Sequence, residues 1–202
     1  MSVGGSACFI DIATSRGLIV RLRRGLPSDE AALRAGFEHL SEESRYHRFF
    51  TAMPELSDQL VEQFVNLDDH GRLAIAAFDP AEPSEVGTED GLGIGVARCI
   101  PARTDVRSAE FAVTVIDRYQ GHGVGRVLLE ALVVGALRSG LTTIYGHVLH
   151  ENSAMVRLLG RMGGRDQFHE HPEPGTRRIA IDLEAATTTM GGRRRAYATL
   201  FS

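Results

Sequence analysis

Gln120-Gly121-His122-Gly123-Val124-Gly125-Arg126 is the stretch on which this chain turns. A run rich in β-formers, 109–116, precedes it, and an apolar helix-like run, 124–138, follows it. Strand, glycine-rich turn and helix together build an anion site. Glycines let the main chain approach a phosphate without a Cβ in the way. The unpaired N–H groups of the first helical turn then point at that phosphate, and the helix dipole adds to the attraction. A phosphorylated ligand is therefore expected at 120–126. A dinucleotide loop needs G-x-G-x-x-G after the first strand of its unit and an acid about 20 residues on. Here the spacing is Gly121-x-Gly123-x-Gly125 past mid-chain, and no acid closes a following strand. A Walker loop needs Gly-Lys-Ser/Thr, which the chain lacks. Gln-x-x-Gly-x-Gly is the pattern that remains. The bland alternative is a ligand-free turn, against which the strand and helix flanks argue.

Outward from this loop, 8–12 and 18–23 alternate apolar and polar residues about Ser15-Arg16-Gly17 and predict a hairpin. Pro27-Ser28-Asp29-Glu30 predicts a helix start capped by Ser28 or Asp29, with helices over 31–40 and 54–65. Strands are predicted over 72–78, 92–100 and 109–116, with an acidic, solvated loop at 79–90. After the loop helix come a strand at 141–149, a helix at 152–162 stopped by Gly163-Gly164, and a strand at 178–183. Residues 187–202 read as a mobile tail, with 197–201 able to dock. The order β-β-α-α-β-β-β-α-β-α-β is that of an α/β domain with a mixed sheet. The division expected is an N-terminal segment 1–16, a domain 17–184 and a tail 185–202.

The 202 residues suit one domain with a sizeable core, and a net charge of −4 argues against wholesale nucleic-acid binding. Cys8 and Cys99 fit no paired motif and are expected as reduced core thiols. The start of the chain lacks a signal-peptide pattern, and 124–137 carries Arg126 and Glu130 and is too short for a bilayer. A cytoplasmic protein with no membrane partner is expected. His147 and His150, three apart on a strand, face opposite ways, and His169-Glu170-His171 lies in a proline-flanked loop, so no metal is expected.

The loop resembles the acetyl-CoA pyrophosphate loop of the GNAT N-acetyltransferase superfamily, and the element order resembles that fold over roughly 18–183. Residues 23–29 and 40–50, which include Ser41-Glu42-Glu43-Ser44-Arg45-Tyr46-His47-Arg48-Phe49-Phe50, resemble the opening of bacterial Pat-type protein lysine acetyltransferases. The resemblance implies a mixed, mostly antiparallel sheet flanked by helices, with the acetyl-CoA loop after the fourth core strand. On residue chemistry alone, Tyr46, Phe49 and Phe50 read as aromatic anchors for a helix connection, with Arg45 and Arg48 snorkelling or lining an acceptor cleft. Pat-type enzymes often carry a further domain, for which 202 residues have no room. Regulation through such a domain would be absent or supplied in trans.

Acetyl transfer to an amine requires a held thioester, a polarised carbonyl, a base for the ammonium and a proton for the thiolate. By resemblance, acetyl-CoA is the co-substrate, held by Gln120, Gly121, His122, Gly123, Val124, Gly125 and Arg126. The strand edge at Val113, Thr114 and Val115 could pair with pantetheine amides. The Val115 N–H would polarise the carbonyl, and Asn152 with Met155 would meet pantetheine. Asn152 also reads as a helix cap. Glu110, a carboxylate within Ala109-Glu110-Phe111-Ala112-Val113, is the expected base, its pKa raised by desolvation. A salt bridge to Arg98 is its alternative role. Many family members place a tyrosine as acid where this chain has Leu159, which cannot donate a proton; solvent or the ammonium proton would serve instead. The expected acceptor is a protein lysine, such as one on an acyl-CoA synthetase. A small amine or a non-catalytic acetyl-CoA-binding role are the alternatives, in a monomer or homodimer.

Overall fold

The computed structural model describes residues 8–65, 72–167 and 174–202. A hairpin of β1 (Phe9–Ala13) and β2 (Ile19–Arg24) leads to α1 (Glu30–Glu38), α2 (Glu42–Phe49) and α3 (Asp58–Val65). β3 (Leu73–Asp79), β4 (Leu92–Pro101) and β5 (Ser108–Val115) form a meander. α4 (Val124–Arg138) returns the chain to β6 (Thr143–Leu149), followed by α5 (Ser153–Arg161), β7 (Arg165–Gln167), β8 (Thr176–Asp182), α6 (Leu183–Thr188) and α7 (Arg193–Ala198). The eight strands make one sheet in the order β1-β2-β3-β4-β5-β6-β8-β7. Only β5 and β6 run parallel; every other neighbouring pair is antiparallel. The expected mixed, mostly antiparallel sheet is thus formed, and the glycine loop follows β5, the fourth strand counted from β2.

Three differences from the sequence reading have physical causes. Ser41 to Phe50 is a helix of its own, not a connection. Ser41 Oγ accepts from the Ser44 N–H at 3.2 Å, Glu42 and Glu43 lie in the first turn, and His47 and Arg48 in the last. These charges suit the helix dipole, but α2 has almost no apolar repeat, so periodicity missed it. The segment 79–90 is not merely solvated: Asp79 is buried and accepts from the Tyr119 hydroxyl at 2.7 Å, and Asp90 accepts from buried Arg23 at 2.8 Å.

The third difference is the C-terminal segment, which is helical and docked. α4 is apolar around most of its circumference, with Val127, Leu128, Leu129, Leu132 and Val133 at most 1% exposed. A helix of that kind must be covered on more than one face. The sheet covers one side; α6, α7 and Phe201 cover the other, and a Cβ on Gly135 would meet the Phe201 ring. Tyr197, Leu183 and Leu200 are buried there.

Candidate active site

The site begins where two parallel strands part. β5 pairs with β6 only at Ser108–Thr143, Ala109–Ile144 and Glu110–Tyr145. Beyond that point Phe111 lies against Gly146, where a Cβ would come within 2.8 Å of its ring. From 112 to 115 β5 keeps its partner β4 on one side. Its other edge is open. The Ile116 N–H donates to Ile94 O on the β4 side at 3.1 Å. Successive amides of a strand alternate in direction, so the N–H groups of Val113 and Val115 face the open edge.

A cleft of about 680 Å³ runs from this edge to the glycine loop. Its floor includes Glu110, Val113, Thr114 and Val115; its loop end includes Gln120, Gly121, Gly123, Gly125 and Arg126; and its far wall holds Asn152 and Met155. Gly121 and Gly123 have φ of +76° and +89°, a region costly to residues with a Cβ. Space for a Cβ exists at Gly121, whereas at Gly123 one would crowd Thr14 at 3.1 Å. The loop therefore offers a bare main-chain cradle, and its residues fit a phosphate-bearing ligand. In the first turn of α4 the Arg126 N–H donates to Gly123 O at 3.2 Å, and the Val124 and Gly125 amides precede that first helical bond.

Not every expected side chain faces the cleft. Val124 is 1% exposed and belongs to the core, and the His122 ring packs edge-on against Tyr119 at 6.5 Å. The Gln120 amide donates to Ser44 Oγ at 2.9 Å, Val115 O at 3.2 Å and Asp117 Oδ1 at 3.2 Å. It therefore ties the loop to α2 and to the open strand. Asn152 Oδ1 accepts from the Met155 N–H at 3.0 Å, the expected cap. Leu159 is fully buried, so its position offers neither proton nor cleft surface.

Glu110 lines the cleft and is exposed. The expected desolvation does not arise. Alternation along β5 sends Ala109 and Phe111 into the core and leaves Glu110 on the opposite, open face. Nor do Glu110 and Arg98 form a salt bridge among the described residues. Arg98 instead stacks over Phe64 at 4.0 Å, and Arg48 over Phe49 at 4.8 Å. Burial and the nearby Arg98 charge push Arg48 down to about 9, opposed by the Glu110 carboxylate, so Arg48 stays cationic at neutral pH. Arg48 lines the cleft. Arg45 does not share that role: it donates to Leu40 O, Pro54 O and Phe37 O at 3.0, 2.8 and 3.3 Å, bracing α1 against α2. Phe49 packs on the core as an anchor, while Tyr46 is 43% exposed and anchors nothing.

Sequence reading did not single out Glu43, His47, Glu151, Arg16 and Arg157, all of which line the cleft. His47 lies 4.0 Å from Glu43 and 3.8 Å from Glu151. The Glu43–His47 spacing of four was a legible signal; Glu151 arrives only through the fold. A second, mostly apolar cavity of about 90 Å³ lies beneath α1 and α3; the carboxylate on its lining, Asp29, is held by Arg23 at 2.6 and 2.8 Å.

Among the described residues no group of metal-ligating side chains forms, and no helix is long and apolar enough to cross a membrane. His150 pairs with Arg177 at 3.0 Å. His169 to His171 and the acidic pair Asp68-Asp69 lie outside the described residues.

Residues 20–165 match the family described as "Acetyltransferase (GNAT) domain". "Acetyltransferase Pat" of Mycolicibacterium smegmatis is 32% identical over 146 residues, which are 70% of this chain and 40% of that protein. The chain thus spans less than half the length of that relative. "Acetyltransferase PA5475" of Pseudomonas aeruginosa is 31% identical over 155 residues, 74% of this chain and 78% of its own. The crystal structure of the GNAT domain of S. lividans PAT superposes with a TM-score of 0.74 at 29% identity, covering 86% of this chain and 96% of that one. With the glycine loop at one end of the cleft and the parted strands along its floor, this chain belongs to the GNAT family of acetyltransferases.

Proposed function

We propose that this enzyme transfers acetyl from acetyl-CoA to lysine side chains of proteins, with Glu110 as the general base. One observation carries the reading: the parting of β5 and β6 at Glu110 opens a strand edge, and that edge leads to the glycine cradle in a single cleft. The phosphates of acetyl-CoA would lie against the main chain of 121–126, and its pantetheine amides along 113–115. Asn152 and Met155 would line the opposite side. The Val115 N–H would donate to the thioester oxygen as charge develops there. Glu110 would take a proton from the lysine ammonium. The freed amine then forms the C–N bond, the C–S bond breaks, and the thiolate is protonated by solvent or by the proton the attacking nitrogen sheds.

The protein acceptor is supported by the resemblance of Ser41 to Phe50 to Pat-type enzymes and by the similarity to the acetyltransferase named Pat. A small polyamine is the second reading, favoured by three carboxylates on the acceptor side, Glu43, Glu110 and Glu151. Incubating the enzyme and acetyl-CoA with purified acyl-CoA synthetases, with a lysate and with spermidine separates the two. Acetyl-lysine on protein above the enzyme-free control supports the proposal. Rapid thiol release with spermidine and no protein acetylation overturns it.

A further inference from the structure

We infer that Glu130, held by Tyr197 and Arg193, is a positioning residue that aims Arg126 at the phosphates of the co-substrate. The inference rests on the reading that those phosphates lie on 120–126. Glu130 is 2% exposed, in the middle of an otherwise apolar helix. An ionised carboxylate is costly to bury unless its lone pairs are used. Here they are: Oε1 accepts from Arg126 Nε at 2.8 Å, and Oε2 accepts from the Tyr197 hydroxyl at 2.7 Å and Arg193 Nη1 at 3.2 Å. Burial and the Glu130 charge push the Tyr197 phenol up, so it remains a donor.

The consequence falls on Arg126. Its side chain is 40% exposed and lines the cleft from the first turn of α4, beside the glycine cradle. With Nε committed to Glu130, both terminal nitrogens remain as donors for an anion. A solvent-facing arginine otherwise samples many rotamers, and a fixed carboxylate behind it removes that freedom before ligand arrives.

The supporting residues come from outside the family match at 20–165. Tyr197 and Arg193 belong to α7, and Arg193 Nη2 donates to Ala13 O of β1 at 2.6 Å. The β1–β2 turn in its turn touches the cradle at Gly123 and brings Arg16 to the cleft. Segments from both ends of the chain thus converge behind Arg126.

A purely structural network would move stability alone, whereas a positioning one moves coenzyme affinity through Arg126. The test measures CoA affinity by calorimetry for Arg126→Ala, Glu130→Gln, Tyr197→Phe and the doubles with Arg126→Ala, with thermal unfolding alongside. Tyr197→Phe removes one hydroxyl and serves if Glu130→Gln fails to fold. Each single change is expected to weaken CoA about tenfold. In the Arg126→Ala background the second change should add little. Equal losses with and without Arg126, or unchanged affinity beside a lowered melting temperature, overturn the inference while leaving the loop reading intact. Unchanged affinity in Arg126→Ala itself overturns the inference at its root, whereas the loop reading, which rests on the main-chain cradle, fails only if the protein binds no CoA at all.

Discussion

Replacing Glu110 with Gln removes one negative charge from the cleft and changes little else. The side chain is exposed, so no buried partner is orphaned, and stability should move by less than about 0.5 kcal/mol. A small loss is expected within that limit, because the Glu110 carboxylate favours the charged forms of the partly buried Arg48 and Arg98. Turnover is another matter. A positioned base contributes on the order of a hundredfold or more, which is about 2.7 kcal/mol of transition-state stabilisation. With saturating acceptor, thiol release by Glu110→Gln should fall by at least that factor while CoA affinity by calorimetry is unchanged. The deficit should shrink as pH rises from about 8 to 10, because free lysine titrates near about 10.4 and then needs no base. Wild-type turnover by the mutant across that range would refute the reasoning and make Glu110 a bystander on the cleft floor.

Gly123→Ala should lose roughly 1–2 kcal/mol of stability, because its φ of +89° suits only glycine and the new methyl meets Thr14 at 3.1 Å; CoA affinity should fall with it, and chemical denaturation with calorimetry checks both. Cys99 is pushed from 9.0 up to about 12 by burial, so its thiolate fraction near neutrality drops about a thousandfold, and mass spectrometry after iodoacetamide at pH 8 should find Cys8 modified and Cys99 protected. The same shift means that the folded chain holds the Cys99 proton between pH 9 and 12 while the unfolded chain releases it, so this contribution to stability is lost as pH rises above 9.

Cys8 shows how local reading fails. Both cysteines were expected in the core, and both are free, but only Cys99 is buried; Cys8 is exposed and donates its S–H to Thr199 O at 3.3 Å. Burial depends on what stands across from a residue, which sequence does not state. Glu110 makes the same point about charge. Its apolar sequence neighbours suggested desolvation, yet period-two alternation puts those neighbours on the other face, and the absence of β6 pairing beyond Glu110 opens its own side to solvent.

What the sequence by itself determined is the part governed by short-range chemistry. Three glycines in 121–125 between a strand and a helix define the cradle, Asn152 and Gly163-Gly164 bound α5, and alternation along the meander defines the strands. These depend on residues a few positions apart. Tertiary structure decided everything that joins distant ones. It brought Ser44 to Gln120, parted β5 from β6, and placed His47 beside Glu151. It also folded the expected mobile tail onto α4, because docking buries the far face of that helix together with Leu183, Met190, Tyr197 and Leu200 of the tail itself. From that docking Glu130 acquires Tyr197 and Arg193, partners 67 and 63 positions away that no local pattern points to.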